Sequence, residues 1–454
     1  MPIFEKALEG AAGNTGDYAA DAAALGEFVA AGELPLAALP GIRERNPEQR
    51  QAAARIHAAL HAARERFLLS HGTRLYEQLT NGYQRYLRLD ELAFAAADLH
   101  PGLLPTRERI EQERLSGQAD KEGHELGQGV FFCSVLRDRR AGTHLIEAML
   151  RPTRRAVAAL PGFRATGAAD FGQVVVERKG CAAWLTLRNL EYLNAEDDET
   201  VEALESGVDL ALLDDEVRVC VLRGAPMAHP KYAGRRIFSA GINLTHLYHG
   251  QISLIDFLLR RELGYLSKIQ RGVTTGAQPD GVTPARTEKP WLALVDGFAI
   301  GGGTQQLLVF DRVIAESGAY FRLPALNEGI IPGTANFRLA RFAGARLSRR
   351  MTIWDHEIST DDPECLLLCD EVVRADAMER AALDAIERLA NPAVVPNRHM
   401  LILAEEPLDA FRAYVAEYAL QQSRLLYGPH LIASLERMWI RRGAAAAAGS
   451  PRPR

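Results

Sequence analysis

The chain has 454 residues, of which 47% are hydrophobic and 24% are charged, and its formal net charge is −5. This length exceeds that of one typical domain and predicts two, each with enough apolar side chains for a core of its own. The slightly acidic balance argues against nucleic acid or an anionic membrane as a partner.

Cysteine and histidine usage predicts neither a disulfide framework nor a metal site. Five cysteines are an odd number at widely scattered positions, which indicates reduced thiols. None of the twelve histidines belongs to a His-Glu-x-x-His pair. Because no stretch approaches twenty uninterrupted apolar residues and the N-terminal residues lack a secretion-signal pattern, we expect a cytoplasmic location.

Residues 1–165 are predicted to form an all-helical N-terminal domain. Asn46 is suited to cap a helix and Pro47 to occupy its first turn, and apolar residues recur at helical spacing as far as Ser70. Further helical segments are predicted at about 73–97 and 106–115. The domain carries no catalytic motif, so we expect it to serve packing or oligomer contacts.

Residues 166–385 are predicted to form an α/β core. Strand and helix patterns alternate in it as far as Ile314, which predicts repeated β-β-α units. Strands are expected at 174–177 and at Ala182–Leu187, joined by a hairpin. A helix is predicted to open at Asn194-Ala195-Glu196 and to end near residue 213. Another strand follows at 217–222.

The segment 251–271 is predicted to be one helix. Leu254, Leu258, Arg261 and Tyr265 recur at helical spacing, so Arg261 falls on the apolar stripe, where a charge needs a partner. One interpretation is a functional anchor. The other is an arginine that reaches the rim or pairs with Glu262 or another structural carboxylate.

Two loops that contain glycine each follow an apolar strand. Trp291–Val295 is predicted to be a buried strand, and three glycines at 301–303 then lead into a helix. Upstream, F-S-A-G-I-N at 238–243 follows the strand at 217–222. Unpaired N–H groups in such turns can point at a developing negative charge, and one donor from each loop, Ile242 and Gly302, would complete an oxyanion hole.

The glycine run by itself has another interpretation, a tight turn where strand and helix backbones pack closely. Two familiar phosphate-binding patterns are absent, because the run lacks the Gly-Lys-Ser/Thr ending of a Walker loop and no dinucleotide fingerprint follows an N-terminal strand. Residues 272–287 are rich in Gly, Pro and Thr and are predicted to form a mobile surface loop. Residues 386–442 are predicted to form C-terminal helices, and the low-complexity tail at 443–454 to be disordered.

Three motifs in a fixed order resemble the crotonase (enoyl-CoA hydratase/isomerase) superfamily over about residues 170–385. They are F-S-A-G-I-N at 238–243, V-D-G-F-A-I-G-G-G at 295–303 and E-G-I-I-P-G at 328–333. The resemblance implies a crotonase-like β-β-α spiral core that binds an acyl-CoA thioester. It also implies that the N–H groups of Ile242 and Gly302 stabilise a thioester enolate, and that the chain forms a trimer or hexamer.

The two acid/base glutamates of crotonase hydratases are missing. Their positions hold Gln305 and Ala325, and neither an amide nor a methyl group can exchange a proton near neutral pH. Hydration of a double bond is therefore disfavoured. Glu196, Arg261 and Gln305, with R-R-E-L-G-Y at 260–265 and the helical N-terminal domain, resemble instead a cofactor-independent dioxygenase branch of the superfamily that acts in glycopeptide-antibiotic biosynthesis.

That resemblance implies conversion of 3,5-dihydroxyphenylacetyl-CoA and O2 to 3,5-dihydroxyphenylglyoxylate and free CoA. No metal, flavin or haem is implied, and Glu196, Arg261 and Gln305 are expected to surround the dihydroxyphenyl ring. The alternatives are a metal-free hydrolase or isomerase of an aryl acyl-CoA and a non-catalytic CoA-binding scaffold. The pattern does not identify the general base; Glu196 is a candidate, although an ion-paired carboxylate is a weak base.

Overall fold

The computed structural model describes residues 15–228, 230–276 and 285–447, with only the backbone described for 230 and 439–447. The chain divides into two units, one of residues 1–148, 245–255 and 415–454, the other of residues 149–244 and 256–414. Both units are discontinuous in sequence, so neither coincides with a single segment of the four-part division predicted from composition.

Helices occupy most of the described N-terminal and C-terminal regions. In chain order they are α1 (Tyr18–Ala37), α2 (Pro47–Leu79), α3 (Leu89–Leu99), α4 (Arg107–Glu113), α5 (Glu125–Arg137), α6 (Arg139–Met149), α7 (Arg154–Thr166), α8 (Asp198–Leu213), α9 (Leu244–Tyr248), α10 (Arg260–Leu263), α11 (Tyr265–Arg271), α12 (Gly302–Leu307), α13 (Ala325–Glu328), α14 (Ala335–Phe342), α15 (Gly344–Trp354), α16 (Met378–Leu389), α17 (Val394–Glu405), α18 (Leu408–Leu426) and α19 (Pro429–Ala447). A π-helical stretch, Leu254–Leu259, precedes α10.

The first unit is helical, and its sequence signals explain where α2 begins and ends. Asn46 and Gln49 form a capping box and Pro47 opens the helix, as predicted. The helix continues to Leu79, past the predicted end, and the chain turns at Asn81-Gly82 with φ of 50° and 65°. That turn splits the predicted segment 73–97, because left-handed backbone conformations cannot continue an α-helix.

The second unit is built on a seven-stranded sheet of order β1-β2-β3-β4-β7-β9-β12, beside a three-stranded sheet β11-β10-β8 and a two-stranded sheet β5-β6. The strands are β1 (Ala168–Asp170), β2 (Val174–Lys179), β3 (Ala182–Leu187), β4 (Val219–Gly224), β5 (Val273–Gly276), β6 (Ala285–Thr287), β7 (Trp291–Val295), β8 (Phe298–Ile300), β9 (Arg312–Glu316), β10 (Tyr320–Arg322), β11 (Ile358–Ser359) and β12 (Glu371–Val373).

Strands β3, β4, β7, β9 and β12 run parallel, whereas β1, β2 and β3 are joined antiparallel. Leu222 of β4 aligns with Ala293 of β7, and both are fully buried, which explains why these strands are continuous apolar runs. Met378 and Ile386 of α16 pack against the sheet core. The predicted α/β class with a helical N-terminal region is confirmed.

Two predicted helix boundaries are wrong in ways that matter for the site. The helix expected to open at Asn194 begins at Asp198, because Asp197 caps it by accepting from the Thr200 N–H. The single helix expected at 251–271 is instead a π-helical stretch and two short helices, interrupted at Gly264, whose φ of −91° and ψ of −109° are not helical.

Two predicted flexible segments are described only in part. In the predicted surface loop 272–287, β5 and β6 pair with each other, and residues 277–284 lie outside the described residues. In the predicted disordered tail, residues 443–447 continue α19, consistent with the high helix propensity of alanine, and residues 448–454 lie outside the described residues. The same holds for residues 1–14.

Candidate active site

The two glycine-containing loops lie in direct contact. Ser239 pairs with Ala299 in a parallel bridge, and the Ile300 N–H donates to the Ser239 carbonyl at 3.0 Å. A methyl group at Gly241 would lie 2.7 Å from the Ile300 carbonyl oxygen and 3.3 Å from the Gly302 nitrogen, so only glycine allows this approach. Loops that are about sixty residues apart in sequence therefore form one surface.

The N–H groups of Ile242 and Gly302 donate to no acceptor in the described parts of the chain. The backbone N–H of Glu196 donates to the Gly241 carbonyl at 2.6 Å, and the backbone carbonyl of Glu196 accepts from the Asn243 N–H at 2.7 Å. In this parallel bridge the N–H of Ile242 points away from Glu196. Gly302 is the first residue of α12, where N–H groups have no partner within the helix. Both groups are available as donors, and their role as an oxyanion hole stays a prediction.

Glu196 and Arg261 form a buried ion pair, with 1% and 3% of their surfaces exposed. The Arg261 Nε donates to Glu196 Oε2 at 2.7 Å. Tyr265 donates through its hydroxyl to Glu196 Oε1 at 2.7 Å, and the Gln306 amide also donates to that oxygen. The carboxylate of Glu196 is therefore bound by three side-chain donors.

The other end of the Arg261 guanidinium is bound as well. Its Nη1 donates to Gln305 Oε1 at 2.5 Å and to Glu262 Oε1 at 3.1 Å, and its Nη2 donates to the Gly302 carbonyl at 2.7 Å. Gln305 in turn donates to Glu262 Oε1 at 2.6 Å. Arg261 thus pairs with the structural carboxylate Glu262 and with Glu196, and it links both to the glycine turn.

Burial and charge fix the protonation of Arg261 and Tyr265 in this network. Burial by itself would lower the pKa of Arg261, but the charges of Glu196 and Glu262 outweigh it and raise that pKa above its ordinary value. Burial raises the pKa of the Tyr265 phenol well above its ordinary value. Arg261 therefore stays charged and Tyr265 stays protonated, each as a permanent donor.

The structure thus brings Glu196, Arg261 and Gln305 together, beside the turn of Gly302. Tyr265 and Gln306 belong to the same network, but no role was predicted for either from the sequence. Tyr265 lies four residues after Arg261, a spacing that places two side chains on one helical face, and this was the available signal. No sequence pattern predicted a role for Gln306, which is notable in the sequence only as the neighbour of Gln305.

The described residues contain neither a candidate metal site nor a candidate membrane-spanning helix. In residues 15–228, 230–276 and 285–447, no three His, Cys, Asp or Glu side chains are grouped so that they could hold a metal ion. No helix within those ranges combines the length and the apolar character needed to cross a membrane. The five cysteines are free thiols, and Cys181 is the most exposed of them.

Comparisons with known proteins place the chain in a family. The sequence model of the enoyl-CoA hydratase/isomerase family matches residues 177–405. A relative from Amycolatopsis orientalis, (3,5-dihydroxyphenyl)acetyl-CoA 1,2-dioxygenase, is 52% identical over 395 residues, which cover 87% of this chain and 90% of the relative. A short-chain-enoyl-CoA hydratase from Clostridium acetobutylicum is 25% identical over 50% of this chain and 78% of the relative.

Among solved structures, an enoyl-CoA hydratase from Mycobacterium avium subsp. paratuberculosis K-10 is similar with a TM-score of 0.48 and 22% identity. That similarity covers 59% of this chain and 99% of the solved one. The family match and the 52% identical relative confirm the resemblance drawn from the three motifs. This chain belongs to the enoyl-CoA hydratase/isomerase (crotonase) family.

Proposed function

We propose that this protein is a dioxygenase that converts 3,5-dihydroxyphenylacetyl-CoA and O2 to 3,5-dihydroxyphenylglyoxylate and free CoA. The observation that carries the proposal is the 52% identity to the Amycolatopsis orientalis dioxygenase over 87% of this chain. That match extends well beyond the residues of the family model at 177–405. Gln305 and Ala325, in place of the hydratase glutamates, argue further against hydration.

The first chemical step is formation of a thioester enolate. The N–H groups of Ile242 and Gly302 bind the thioester oxygen, and each contributes about 3 to 4 kcal/mol of stabilisation to the enolate. Both donors are unoccupied by acceptors of the described chain, as such a role requires. The two donors are far apart in sequence but close in space, because Gly241, next to Ile242, lies against Gly302.

The ring of the substrate is held by Glu196, Arg261 and Gln305. These side chains already form one hydrogen-bonded network, so they are fixed before the substrate arrives. The Glu196 carboxylate can accept from a ring hydroxyl, while the planar guanidinium of Arg261 can donate to it. Substrate binding then requires little reordering of these groups.

Oxygen reacts with the enolate without a metal, flavin or haem. Ground-state O2 is a triplet, and a sufficiently electron-rich carbanion can pass one electron to it directly. The superoxide and the substrate radical formed in this way combine, which makes a C–O bond and gives a peroxide on the α-carbon. This peroxide attacks the thioester carbonyl and expels CoA as its thiolate. The O–O bond then breaks as the second α-hydrogen leaves as a proton to solvent, which yields the aryl glyoxylate as its carboxylate. Both O2 atoms therefore stay in the product.

We also place the protein in the cytoplasm as a homo-oligomer, a trimer or hexamer, with neither nucleic acid nor membrane as a partner. Five free cysteines suit a reducing compartment. The resemblance to the crotonase family supports the proposed oligomer. Sedimentation of the purified protein at several concentrations tests the oligomeric state.

Turnover under ¹⁸O2 gas tests the proposed reaction. We expect the keto oxygen and one carboxylate oxygen to carry label from a single O2 molecule, since the peroxide attacks its own thioester. A mixture of ¹⁶O2 and ¹⁸O2 should therefore give doubly labelled and unlabelled product with no singly labelled species. Entry of label from water into the carboxylate, without O2 uptake, would instead indicate thioester hydrolysis.

A further inference from the structure

The proposed reaction needs a group that removes a proton from the α-carbon. Glu196 accepts hydrogen bonds from Arg261, Tyr265 and Gln306, so both of its carboxylate oxygens are already engaged by side-chain donors. The positions of the hydratase glutamates, Gln305 and Ala325, supply no proton acceptor. The base must come from elsewhere in the site.

Glu328 is a buried carboxyl group without a partner. It is the last residue of α13, it is 7% exposed, and its side chain makes no hydrogen bond or ion pair within the described residues. Carboxyl groups that are buried to this degree are normally paired or hydrogen-bonded. A buried carboxyl group without such a partner is therefore a candidate functional group that can interact with a bound substrate.

The carboxyl group of Glu328 lies at the junction of the two glycine-containing loops. A methyl group at Gly301 would lie 3.8 and 4.0 Å from its two oxygens and 3.7 Å from the Cα of Gly241. Gly241 and Gly301 each immediately precede a proposed oxyanion donor, Ile242 and Gly302. The carboxyl group therefore faces the backbone that positions the thioester oxygen.

The position of Glu328 on its helix also relates it to the missing hydratase glutamate. Residues three apart on a helix lie on the same face, so Glu328 and Ala325 project from the same side of α13. Glu328 thus supplies a carboxyl group three residues further along the same short helix.

We infer that Glu328 is the general base that removes the α-proton of the aryl acetyl thioester, an inference that rests on the proposed function. The α-carbon–hydrogen bond breaks, the proton passes to the Glu328 carboxylate, and the electron pair moves to the enolate oxygen bound by Ile242 and Gly302. After O2 has reacted, the departing CoA thiolate takes that proton. Glu328 is thereby restored for the next turnover.

The charged groups around Glu328 suit this role. Burial first, and then the charge of Asp355, raise the pKa of Glu328 to about 8, while Arg322 opposes the shift. Arg322 is itself bound to Asp355, with its Nε 2.8 Å from Oδ1, and Asn327 donates to the same aspartate. A carboxylate with a raised pKa is a stronger base than an exposed one.

Hydrogen exchange without oxygen tests the inference. The wild type is incubated anaerobically in D2O with 3,5-dihydroxyphenylacetyl-CoA, and deuterium at the α-carbon is followed by mass spectrometry. We expect Glu328→Gln to slow both this exchange and aerobic O2 uptake by about 10²- to 10⁴-fold. Glu328→Asp should recover part of each rate. The wild-type exchange rate should rise with pH and level off above about pH 8.

Glu357→Gln is the matched control, because Glu357 is exposed yet its charge also acts on Arg322. It should keep wild-type rates. If Glu328→Gln retains either rate within about threefold, the base assignment is overturned. If circular dichroism shows that Glu328→Gln does not fold, Glu328→Asp and the wild-type pH profile test the inference instead. A wild-type rate in Glu328→Asp, or a wild-type exchange rate that is constant from pH 6 to 9, overturns the base assignment.

The same experiment separates the base assignment from the proposed function. Suppose that the wild type exchanges hydrogen but consumes no O2, and that Glu328→Gln abolishes the exchange. This result would overturn the dioxygenase proposal and support Glu328 as the base. O2 uptake by both proteins would overturn the base and keep the dioxygenase. A wild type that neither exchanges hydrogen nor consumes O2 would contradict both.

Discussion

Arg261 carries a charge in the interior of the second unit because four groups accept hydrogen bonds from its guanidinium. Glu196, Glu262, Gln305 and the Gly302 carbonyl all accept from it. A buried charge is tolerated only when it is paired and hydrogen-bonded in this way. Arg261 therefore serves the fold as well as the proposed ring contact.

Arg261→Ala should lower both stability and substrate binding. Two buried carboxylates would lose their shared counter-charge, and breaking such a pair costs about 3 to 5 kcal/mol. Urea denaturation measures the loss, and KM for the thioester measures binding. Arg374→Ala is the control, since the ion pair of Arg374 with Asp376 is exposed and its loss should leave the urea midpoint unchanged. Equal midpoints for both variants would contradict the buried-pair argument.

Glu328 should make stability fall as pH rises. Its pKa is about 8 in the fold against 4.5 in the unfolded chain, so between these values the folded state holds a proton that the unfolded state has lost. The free energy of unfolding contributed by this group then decreases by up to about 1.4 kcal/mol per pH unit through that window.

The measurement is the difference in unfolding free energy between the wild type and Glu328→Gln at pH 5.5 and 8.5. We expect the wild type to lose stability relative to the variant over this interval, since glutamine does not titrate. The comparison cancels other titrating groups. A difference that stays constant with pH would show that Glu328 ionises at its ordinary pKa in the fold.

At the scale of elements, the turn between β8 and α12 connects the proposed oxyanion donors to the buried charges. A methyl group at Gly302 would lie 2.6 Å from Glu196 Oε2 and 3.1 Å from Arg261 Nη2. Glycine at 302 therefore lets the turn approach the ion pair while its N–H stays available. The same turn offers a donor through its backbone and an acceptor, the Gly302 carbonyl, to Arg261.

Gly302→Pro should abolish turnover, whereas Gln305→Ala should only impair it. Proline removes the N–H and places ring atoms where no methyl group fits, while the loss of Gln305 removes one of several bonds to Arg261. Steady-state O2 uptake compares the two variants, with circular dichroism as the check on folding. Equally mild effects of both changes would mean that the glycine turn is only structural.

At the scale of the whole molecule, the proposed chemistry relies on the substrate's own enolate as the electron donor. In this reaction the protein has three tasks: it binds the thioester, removes a proton from the α-carbon and stabilises the resulting enolate anion. The residues proposed for all three tasks belong to the second unit: Glu196 and Arg261 for binding, Glu328 for proton removal, and Ile242 and Gly302 for the anion.

Activity should therefore survive exhaustive chelation. We expect unchanged O2 uptake after dialysis against EDTA and a second, iron-selective chelator, and a purified protein without a visible chromophore. Metal analysis of the dialysed sample provides the control. Loss of activity that a single added metal restores would contradict the cofactor-independent reaction and require a metal-assisted one.

The fold and the site were predictable from sequence wherever the signal is local. The continuous apolar run Trp291–Val295 predicts a strand covered on both faces, and the structure confirms it. The helical spacing of Arg261 within an apolar stripe predicts its burial, which is also found. Periodicity failed at Gly264, because a single residue outside the helical region interrupts a pattern that is otherwise helical.

By itself, the sequence determined the α/β class, the two glycine-containing loops and the absence of both hydratase glutamates. Only the tertiary structure decided which side chains meet. Glu196 and Arg261 are 65 residues apart, and Gln306 reaches Glu196 across 110 residues. The position of Glu328 beside Gly301 likewise depends on how β8 and β10 pair in the three-stranded sheet. Such contacts arise from strand order and helix packing, which a local pattern of residues does not specify.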